Sequence, residues 1–377
     1  MKIVIAPDKF KGSLTGFEFC DAVAEGLQTV LKKVDIVKKP LADGGDGTVD
    51  VVQYYLKGEK VSLTVKDPLF RPIKASYLYA DHNKIAFIEM AGASGLNLIK
   101  DRERSVMHST SFGTGELIAD AISNGAEEII LGIGGSATND GGMGIAQALG
   151  FRFLDKNGIE LQPFGRNLVA VKSIDSASVN PKLSAIKLKV ACDVDNPFFG
   201  ENGAAHVYTA QKGASKTEIE LLDEGLRNYA KVLFEKFKVD VQTIPGSGAA
   251  GGVGGAAHVL LEGQLISGVE LIKEIAHFDD AIADADWIIT GEGKLDNQTL
   301  AGKTIAGILR AAQQKNIPVA ALCGEVSISE EDSKTLGLNY FASISEDCHS
   351  LEEAILNAYP NLVESTKEFA QLVLLKN

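Results

Sequence analysis

Acidic and basic side chains cluster in a short segment near the start of the chain. Residues 8–13 hold a carboxylate, two ammonium groups and a hydroxyl, directly after the apolar segment 2–6. In open α/β sheets, ligands bind outside the carboxyl ends of the strands. The segment could therefore bind an anionic substrate, although a solvated polar turn explains the same residues equally well.

Two further segments place acids at the end of an apolar strand. One follows the predicted strand 186–191 and the other follows the predicted strand 287–290; the acids are Asp193, Asp195, Glu292 and Asp296. Ionised groups at this edge of a sheet can reach a bound substrate. A helix-capping role for Asp195 or Asp296 is the alternative.

Glycine accounts for 39 of 377 residues, above the usual share of about 7%, and it is concentrated in a few loops. Because glycine tolerates positive φ and close backbone approach, successive N–H groups in such loops can cradle phosphates. Two of the loops, 132–144 and 246–255, are candidates for this role. The residues expected to contact phosphate there are Gly134, Gly135, Ser136, Gly246, Ser247 and Gly248.

A third glycine-rich loop, 42–48, carries two carboxylates, Asp43 and Asp46. Mg²⁺ prefers one or two carboxylates together with phosphate oxygens and water, so the loop suits that ion. Aspartate and glycine are also common helix-cap residues. The two interpretations are evenly matched.

The same glycines fit a competing template for dinucleotide binding. Segments 132–137 and 246–251 match the spacing of that fingerprint, so a nicotinamide-dependent dehydrogenase of a small hydroxy acid is the alternative function. A P-loop is excluded, because Lys303 has no glycine at the required upstream position, which is Asn297.

Composition limits the class of protein. Hydrophobic residues make up 45% of the chain, which favours a globular protein. The net charge is −13, which argues against binding nucleic acid. The four cysteines lie far apart, which predicts reduced thiols in a cytoplasmic protein. The six histidines show no metal-ligand spacing. The uncharged segment 241–261 contains six glycines, which predicts a loop and a helix start rather than a membrane span.

Both ends of the chain predict an open, doubly wound (Rossmann/flavodoxin-like) and mostly parallel α/β sheet. A helix opened by Thr15 and Glu18 separates strand 2–6 from strand 34–41, and further strands are expected at 286–290, 318–322 and 338–342. A helix from about residue 299 and a closing helix through residue 374 complete this part.

The middle of the chain predicts a mixed α+β domain, with a hairpin turn at 155–158 and a long helix at 216–237. We therefore expect a discontinuous Rossmann-like domain at 1–75 and 280–377, and an inserted domain at 76–279.

Taken together, seven segments resemble the type I glycerate kinase family. They cover nearly the whole chain in one order: IAPDKFKGSL, PLADGGDGT, GIGGSATNDGGMG, ACDVDNPFFGENGAA, YTAQKGA, PGSGAAGG and ITGEGKLDNQT. The resemblance implies phosphorylation of (R)-glycerate by ATP with Mg²⁺, a 2-phosphoglycerate product, and an active site between two α/β domains. The implied partners are the small molecules glycerate and ATP, while the acidic charge argues against nucleic acid and segment 241–261 against a membrane span. The oligomeric state stays open, a homo-oligomer included.

Individual roles follow from the needs of phosphoryl transfer, which are charge neutralisation, an aligned hydroxyl and a proton acceptor. We assign charge stabilisation to Lys11 and proton acceptance to Asp193, with Asp296 in reserve. Asp43 and Asp195 are the candidate Mg²⁺ ligands, and Glu292 joins the glycine loops around ATP. The candidate substrate-binding residues are Asp8, Ser13, Arg71, Gln211 and Lys212.

Overall fold

The fold was analysed in a computed structural model that describes residues 1–43, 47–296, 303–328 and 336–375. The chain divides into two compact units, Met1–Tyr55 with Gly268–Asn377 (unit one) and Leu56–Ser267 (unit two). The domain boundaries expected at 75 and 280 remain predictions. In the structure, residue 75 lies within a strand of unit two and residue 280 within a short helix of unit one.

The first elements of unit one alternate strand and helix. They are β1 (Lys2–Ile5), α1 (Gly16–Val30), β2 (Asp35–Lys38) and α2 (Thr48–Leu56). The capping box predicted for α1 is present, because the Thr15 side chain accepts from the N–H of Glu18 and the Glu18 carboxylate accepts from the N–H of Thr15. Strand β2 ends at Lys38, short of the predicted residue 41, since Pro40 has no N–H for the ladder.

Unit two contains most of the middle of the chain. Its elements are β3 (Glu59–Lys66), β4 (Pro72–Ala80), β5 (Ile85–Glu89), α3 (Ala91–Ser94), α4 (Phe112–Ser123), β6 (Glu128–Gly132), α5 (Met143–Ala148), β7 (Arg152–Leu154), β8 (Ser173–Asp175), β9 (Lys187–Ala191), α6 (Ala204–Tyr208), α7 (Lys216–Phe237), α8 (Ala249–Leu261) and β10 (Gln264–Ile266). Short 3₁₀ turns connect them, including Ala210–Lys212 and Val241–Thr243.

The large sheet of unit two mixes parallel and antiparallel strands, in the order β10-β9-β6-β5-β4-β3. Strands β3, β4 and β5 pair antiparallel, whereas β5, β6, β9 and β10 pair parallel. The carboxyl ends of β5, β6 and β9 therefore lie at one edge of the sheet, and the loops that follow them start there.

Two local predictions in unit two are confirmed. Helix α7 spans the predicted residues 216–237 and begins with a capping box between Ser215 and Glu218. At the turn after β7, the N–H of Gly158 donates to the carbonyl of Asp155 at 3.0 Å, and φ of Gly158 is +78°. Short-range hydrogen bonding and glycine stereochemistry determine both features, so the sequence is sufficient to predict them.

The chain then returns to unit one. The elements are α9 (Gly268–Ile275), α10 (Phe278–Ala281), β11 (Trp287–Thr290), β12 (Lys294–Leu295), α11 (Lys303–Lys315), β13 (Val319–Cys323), β14 (Glu325–Val326), β15 (Tyr340–Ser343), α12 (Leu351–Leu356) and α13 (Ala358–Phe369), which continues as a π-helical turn, Ala370–Leu374. The helix start predicted near 299, and Asp46 of the predicted magnesium loop, lie outside the described residues.

The sheet of unit one is parallel throughout, in the order β15-β13-β11-β1-β2. Counted within the unit, this is the 2-1-3-4-5 order of flavodoxin-like folds, which confirms the predicted fold class. The strand order reverses between β1 and β11, so the segments after these two strands flank the position where such sheets bind ligands. In the described part of the chain, no helix combines the length and apolar character needed to cross a bilayer.

Close packing of α1 against α13 depends on Gly26. A methyl group at Gly26 would lie 2.7 Å from the carbonyl oxygen of Val363 and 2.7 Å from the Cβ of Thr366. Because glycine disfavours a helix interior by about 0.5–1 kcal/mol relative to alanine, its presence here reflects this contact.

We expect Gly26→Ala to lower the free energy of unfolding by about 1–3 kcal/mol, because the added methyl group overpacks the α1–α13 interface. Chemical denaturation measures the change. The matched control is Gly92→Ala in α3, where nothing lies within 4 Å of the new methyl group. Equal stability of the two variants would contradict this account.

Candidate functional site

In unit one, Asp8 lies directly after β1 and connects three segments. Its N–H donates to the carbonyl of Gly291 after β11 at 2.9 Å. Its Oδ1 accepts from the N–H of Lys9 at 2.7 Å, and its Oδ2 accepts from the hydroxyl of Thr304, in the first turn of α11, at 2.6 Å. These bonds hold the carboxylate at the point where the strand order reverses.

The environment of Asp8 disfavours its charged form. Burial raises the pKa of the carboxyl, and the nearby charge of Asp43 raises this pKa further, while the hydrogen bonds from Thr304 and Lys9 oppose the shift. Two carboxylates that repel each other at the end of a sheet form a donor set suited to a hard divalent cation. This pair therefore fits Mg²⁺ on chemical grounds.

Other predicted residues of unit one surround the same position. Lys11 is exposed, and a methyl group at Gly293 would lie 3.7 Å from its backbone nitrogen. Glu292 directly follows Gly291, whose carbonyl accepts from the N–H of Asp8. Asp296 is the first residue after β12. The Ser13 hydroxyl donates to a backbone carbonyl of α12 at 3.4 Å. A cavity of about 230 Å³ opens here, with Asp8 and Ser13 in its wall.

In unit two, three of the predicted loops meet. The N–H of Gly141 donates to the carbonyl of Gly251 at 3.0 Å, and the N–H of Gly248 donates to the carbonyl of Asn196 at 2.9 Å. These bonds join the loop after β6, the segment before and at the start of α8, and the loop after β9. Asp193 lies in the last of these loops and is partly buried.

Glycine is required where these loops touch. A methyl group at Gly251 would lie 2.1 Å from the carbonyl oxygen of Thr138, and one at Gly248 would lie 2.1 Å from that of Pro197. The φ angle of Gly251 is +71°. The backbones can approach this closely because Gly248 and Gly251 have no side chain. On the loop after β6, Gly134 and Gly135 are exposed.

A lysine is buried beneath the loop after β6. Lys212 is 3% exposed, and its Nζ donates to Ser136 Oγ at 2.9 Å and to the carbonyl of Thr138 at 2.7 Å. Burial lowers the pKa of Lys212 to about 7, although the negative charge of Asp140 acts in the opposite direction. The side chain therefore changes charge near neutral pH.

Asp140 is fully buried and accepts several hydrogen bonds. Its Oδ2 accepts from the N–H of Ser111 at 2.7 Å, from the Ser111 hydroxyl at 2.8 Å and from the N–H of Gly144 at 3.2 Å, while its Oδ1 accepts from the N–H of Gly142 at 3.1 Å. These donors lie at the beginnings of α4 and α5, where helix dipoles favour negative charge.

Several buried polar atoms of the loop after β6, of α7 and of the segment before α8 have no hydrogen-bond partner among the described residues. They are Thr138 Oγ1, Asn139 Nδ2, Asn139 Oδ1, Tyr229 Oη and Ser247 Oγ. Leaving such a group unsatisfied costs about 1–3 kcal/mol, so this interior has capacity for water or ligand atoms.

Three predicted residues of unit two have other surroundings. Arg71 donates to Asp67 Oδ2 at 2.6 Å and to Glu103 Oε2 at 3.1 Å, so its guanidinium already contacts two carboxylates. Gln211 and Asp195 are exposed. Their proposed contacts with substrate or metal remain predictions.

The metal prediction has limited geometric support. Across residues 1–43, 47–296, 303–328 and 336–375, no three His, Cys, Asp or Glu side chains are placed to share an ion. Asp43 belongs to unit one and Asp195 to unit two. The Asp8–Asp43 pair is thus the better-supported position for a cation.

The dinucleotide template does not match the local folds. Segment 246–251 follows a 3₁₀ turn, Val241–Thr243, rather than a strand. Segment 132–137 follows β6, but α5 begins only at Met143. The fingerprint requires glycines between a strand and the helix that they open, so neither segment qualifies.

Comparison with known proteins decides the family. The sequence profile described as the glycerate kinase family matches residues 3–374. The chain belongs to this family. No match supports the dehydrogenase alternative.

Individual family members resemble the chain over its full length. It is 40% identical to glycerate 2-kinase of Escherichia coli (strain K12), covering 98% of this chain and 97% of that protein. It is 42% identical to glycerate kinase of Halalkalibacterium halodurans, with the same two coverages. A crystal structure assigned to glycerate kinase 2 of Salmonella typhimurium LT2 superposes with a TM-score of 0.89 at 40% identity, covering 100% of this chain.

Sequence reasoning missed three residues of these two regions. Asp140 and Asn139 were expected only as part of a glycine-rich loop, and Thr304 was not assigned a role. A charged residue within an otherwise uncharged glycine-rich loop is the signal that could have identified Asp140. The Thr304 contact with Asp8 joins residues 296 positions apart, and no local pattern indicates it.

The buried Lys212 predicts a pH dependence of stability. Its pKa in the folded state, about 7, lies below the ordinary value of 10.5, so between these values the unfolded chain binds a proton that the folded chain does not. The stability contributed by this group therefore rises with pH across that window, by up to about 1.4 kcal/mol per pH unit.

We expect the difference in unfolding free energy between the wild type and Lys212→Met to grow in favour of the wild type from pH 7 to pH 9. Chemical denaturation followed by circular dichroism at several pH values measures it. Lys182→Met, which removes an exposed lysine of the same unit, is the control. Its difference in unfolding free energy from the wild type should not change with pH. A constant difference for Lys212→Met as well would exclude a neutral buried amine.

Proposed function

We propose that this protein transfers the γ-phosphoryl group of ATP to a hydroxyl of (R)-glycerate and releases ADP and 2-phosphoglycerate. The observation that carries the proposal is the full-length similarity to the E. coli protein named glycerate 2-kinase. The two regions described above, one with an acidic pair and one with glycine-rich loops, are parts that such a transfer needs.

The glycine-rich loops of unit two suit the triphosphate of ATP. Gly134 and Gly135 are exposed on a loop with little steric cover, since nothing lies within 4 Å of a methyl group at Gly134. Backbone amides here, with Ser136, would contact phosphate oxygens. Gly246, Ser247 and Gly248 remain further candidates; they are buried, and the N–H groups of Ser247 and Gly248 already donate to the carbonyls of Ile244 and Asn196. Lys212 supplies positive charge beneath the loop when it is protonated.

The segment after β1 suits the anionic acceptor. Lys11 is exposed, so its ammonium group can meet a carboxylate or the transferring phosphoryl group. Asp8 and Ser13 would orient glycerate. Asp193 remains the first candidate for the group that accepts the hydroxyl proton, with Asp296 in reserve.

Mg²⁺, when bound, would neutralise charge on the phosphates and align the transferring group. Asp43, with Asp8 beside it, would hold the ion, because mutual repulsion between these carboxylates favours a cation. Asp195 remains a further candidate from unit two. Glu292 would complete the contacts with ATP, and a cytoplasmic location remains part of the proposal.

The decisive assay measures ADP formation with and without D-glycerate and Mg²⁺, beside absorbance of a reduced nicotinamide cofactor. We expect ADP to form only with glycerate present, and phosphorus NMR to detect the 2-phosphate ester. ADP formation without glycerate, or a change in cofactor absorbance, would refute the proposal. A 3-phosphate product would refute only its regiochemistry.

Replacing Lys11 tests the acceptor region. We expect Lys11→Ala to lower kcat by about 10²–10⁴-fold, the usual effect of removing a group that stabilises transition-state charge or transfers a proton. Steady-state kinetics measures the loss. Lys33→Ala, an exposed lysine after α1, should behave like the wild type. Unchanged kinetics in Lys11→Ala would remove this residue from the active site.

A further inference from the structure

The contact between Lys212 and Ser136 can exist in two hydrogen-bonding states. Lys212 Nζ lies 2.9 Å from Ser136 Oγ and 2.7 Å from the carbonyl of Thr138. A protonated amine has no lone pair, so it can only donate to both oxygens. A neutral amine has one lone pair and can accept the hydroxyl hydrogen of Ser136 instead.

These states differ in what Ser136 can offer to a ligand. When Lys212 is charged, the hydrogen of Ser136 is free to point away from the lysine towards an anion. When Lys212 is neutral, that hydrogen can be held inward by Nζ. Ser136 is 8% exposed and follows the exposed Gly134 and Gly135, whereas Lys212 is 3% exposed, so an anion on this loop would reach the hydroxyl before the amine.

The charges around Lys212 are few. Asp140, on the loop above it, is the charged group acting on it, and four of the donors to that carboxylate are backbone and hydroxyl groups of Ser111, Gly142 and Gly144. From α7, the neutral Tyr229 approaches Asp140. Arg104 lies beside Gly213 and is paired with Asp101.

We propose that Lys212 is a positioning residue that couples phosphate binding at the loop 134–136 to uptake of one proton from solvent, transmitted through the Ser136 hydroxyl. The inference rests on the proposed function, because it takes the phosphate groups of ATP or ADP as the anion. An anion near the loop favours the charged amine by direct attraction and by recruiting the Ser136 hydrogen.

Proton uptake follows from the protonation state of the free protein. Lys212, with a pKa of about 7, is mostly neutral at pH 8 and mostly charged at pH 6. Binding that restores its charge therefore takes up close to one proton at pH 8 and almost none at pH 6. Binding itself weakens as pH rises above 7, by up to about tenfold per pH unit.

Isothermal titration calorimetry of the full chain with ADP and Mg²⁺, in two buffers of different ionisation enthalpy, measures the uptake. We expect the wild type to take up about one proton more than Lys212→Met at pH 8, and the difference to vanish at pH 6. Subtracting the variant cancels the ionisation of ADP itself. Lys182→Met, the exposed control, should match the wild type.

Ser136→Ala provides a second variant that keeps the lysine, should Lys212→Met fail to fold. We expect its proton uptake at pH 8 to fall below about half of the wild-type value, because the hydroxyl link is missing. Undiminished uptake in Ser136→Ala would overturn the role of the hydroxyl. Equal uptake in the wild type and Lys212→Met would overturn the role of the lysine.

The ADP-formation assay on the same preparation separates the two proposals. An enzyme that turns over glycerate and binds ADP without proton uptake overturns this inference and leaves the kinase function intact. A protein that neither binds ADP nor turns over glycerate overturns both.

Discussion

The buried carboxylate of Asp140 is the constraint on which the chemistry of unit two depends. Burial raises the pKa of this carboxyl, and the hydrogen bonds from Ser111, Gly142 and Gly144 at the starts of α4 and α5 oppose that shift by stabilising the charged form. The loop after β6 is thereby tied to both helices. Substitution of one donor would leave a buried charge partly unsatisfied, which is far costlier than losing an exposed hydrogen bond.

Hydrogen bonds to Asp140 hold the loop after β6 in place, and the exposed part of this loop carries no charged side chain. Gly134 and Gly135 are exposed, while Lys212 is buried and its Nζ donates to Ser136 Oγ and to the carbonyl of Thr138. A lysine in contact with solvent would keep its proton at neutral pH, whereas burial makes this lysine sensitive to what binds above it.

In unit one, the candidate site also lies at the carboxyl ends of parallel strands. Its parallel sheet reverses order between β1 and β11, and Asp8 is held there by the N–H of Lys9 and the hydroxyl of Thr304. Burial, with a smaller contribution from the charge of Asp43, raises the pKa of Asp8, so the position favours a proton or a cation. Unit one thus holds an acidic pair, whereas unit two holds glycine-rich loops with a buried lysine and a buried carboxyl group.

The sequence alone determined the features that arise from short-range interactions. Helices α1 and α7 begin at capping boxes, the turn at 155–158 needs a glycine with positive φ, and apolar runs followed by glycine or acidic residues mark the ends of strands. The family resemblance added the activity, because several motifs in one order are far more specific than any single glycine pattern.

Only the tertiary structure decided which polar residues are buried and with what partners. The Lys212–Ser136 contact joins positions 76 residues apart, and the Thr304–Asp8 bond joins positions 296 apart. The pKa of a lysine depends on the solvent it loses when distant segments pack around it, and no local pattern encodes that loss. The same holds for Arg71, whose guanidinium meets Asp67 and Glu103 because β3, β4 and a distant turn fold together.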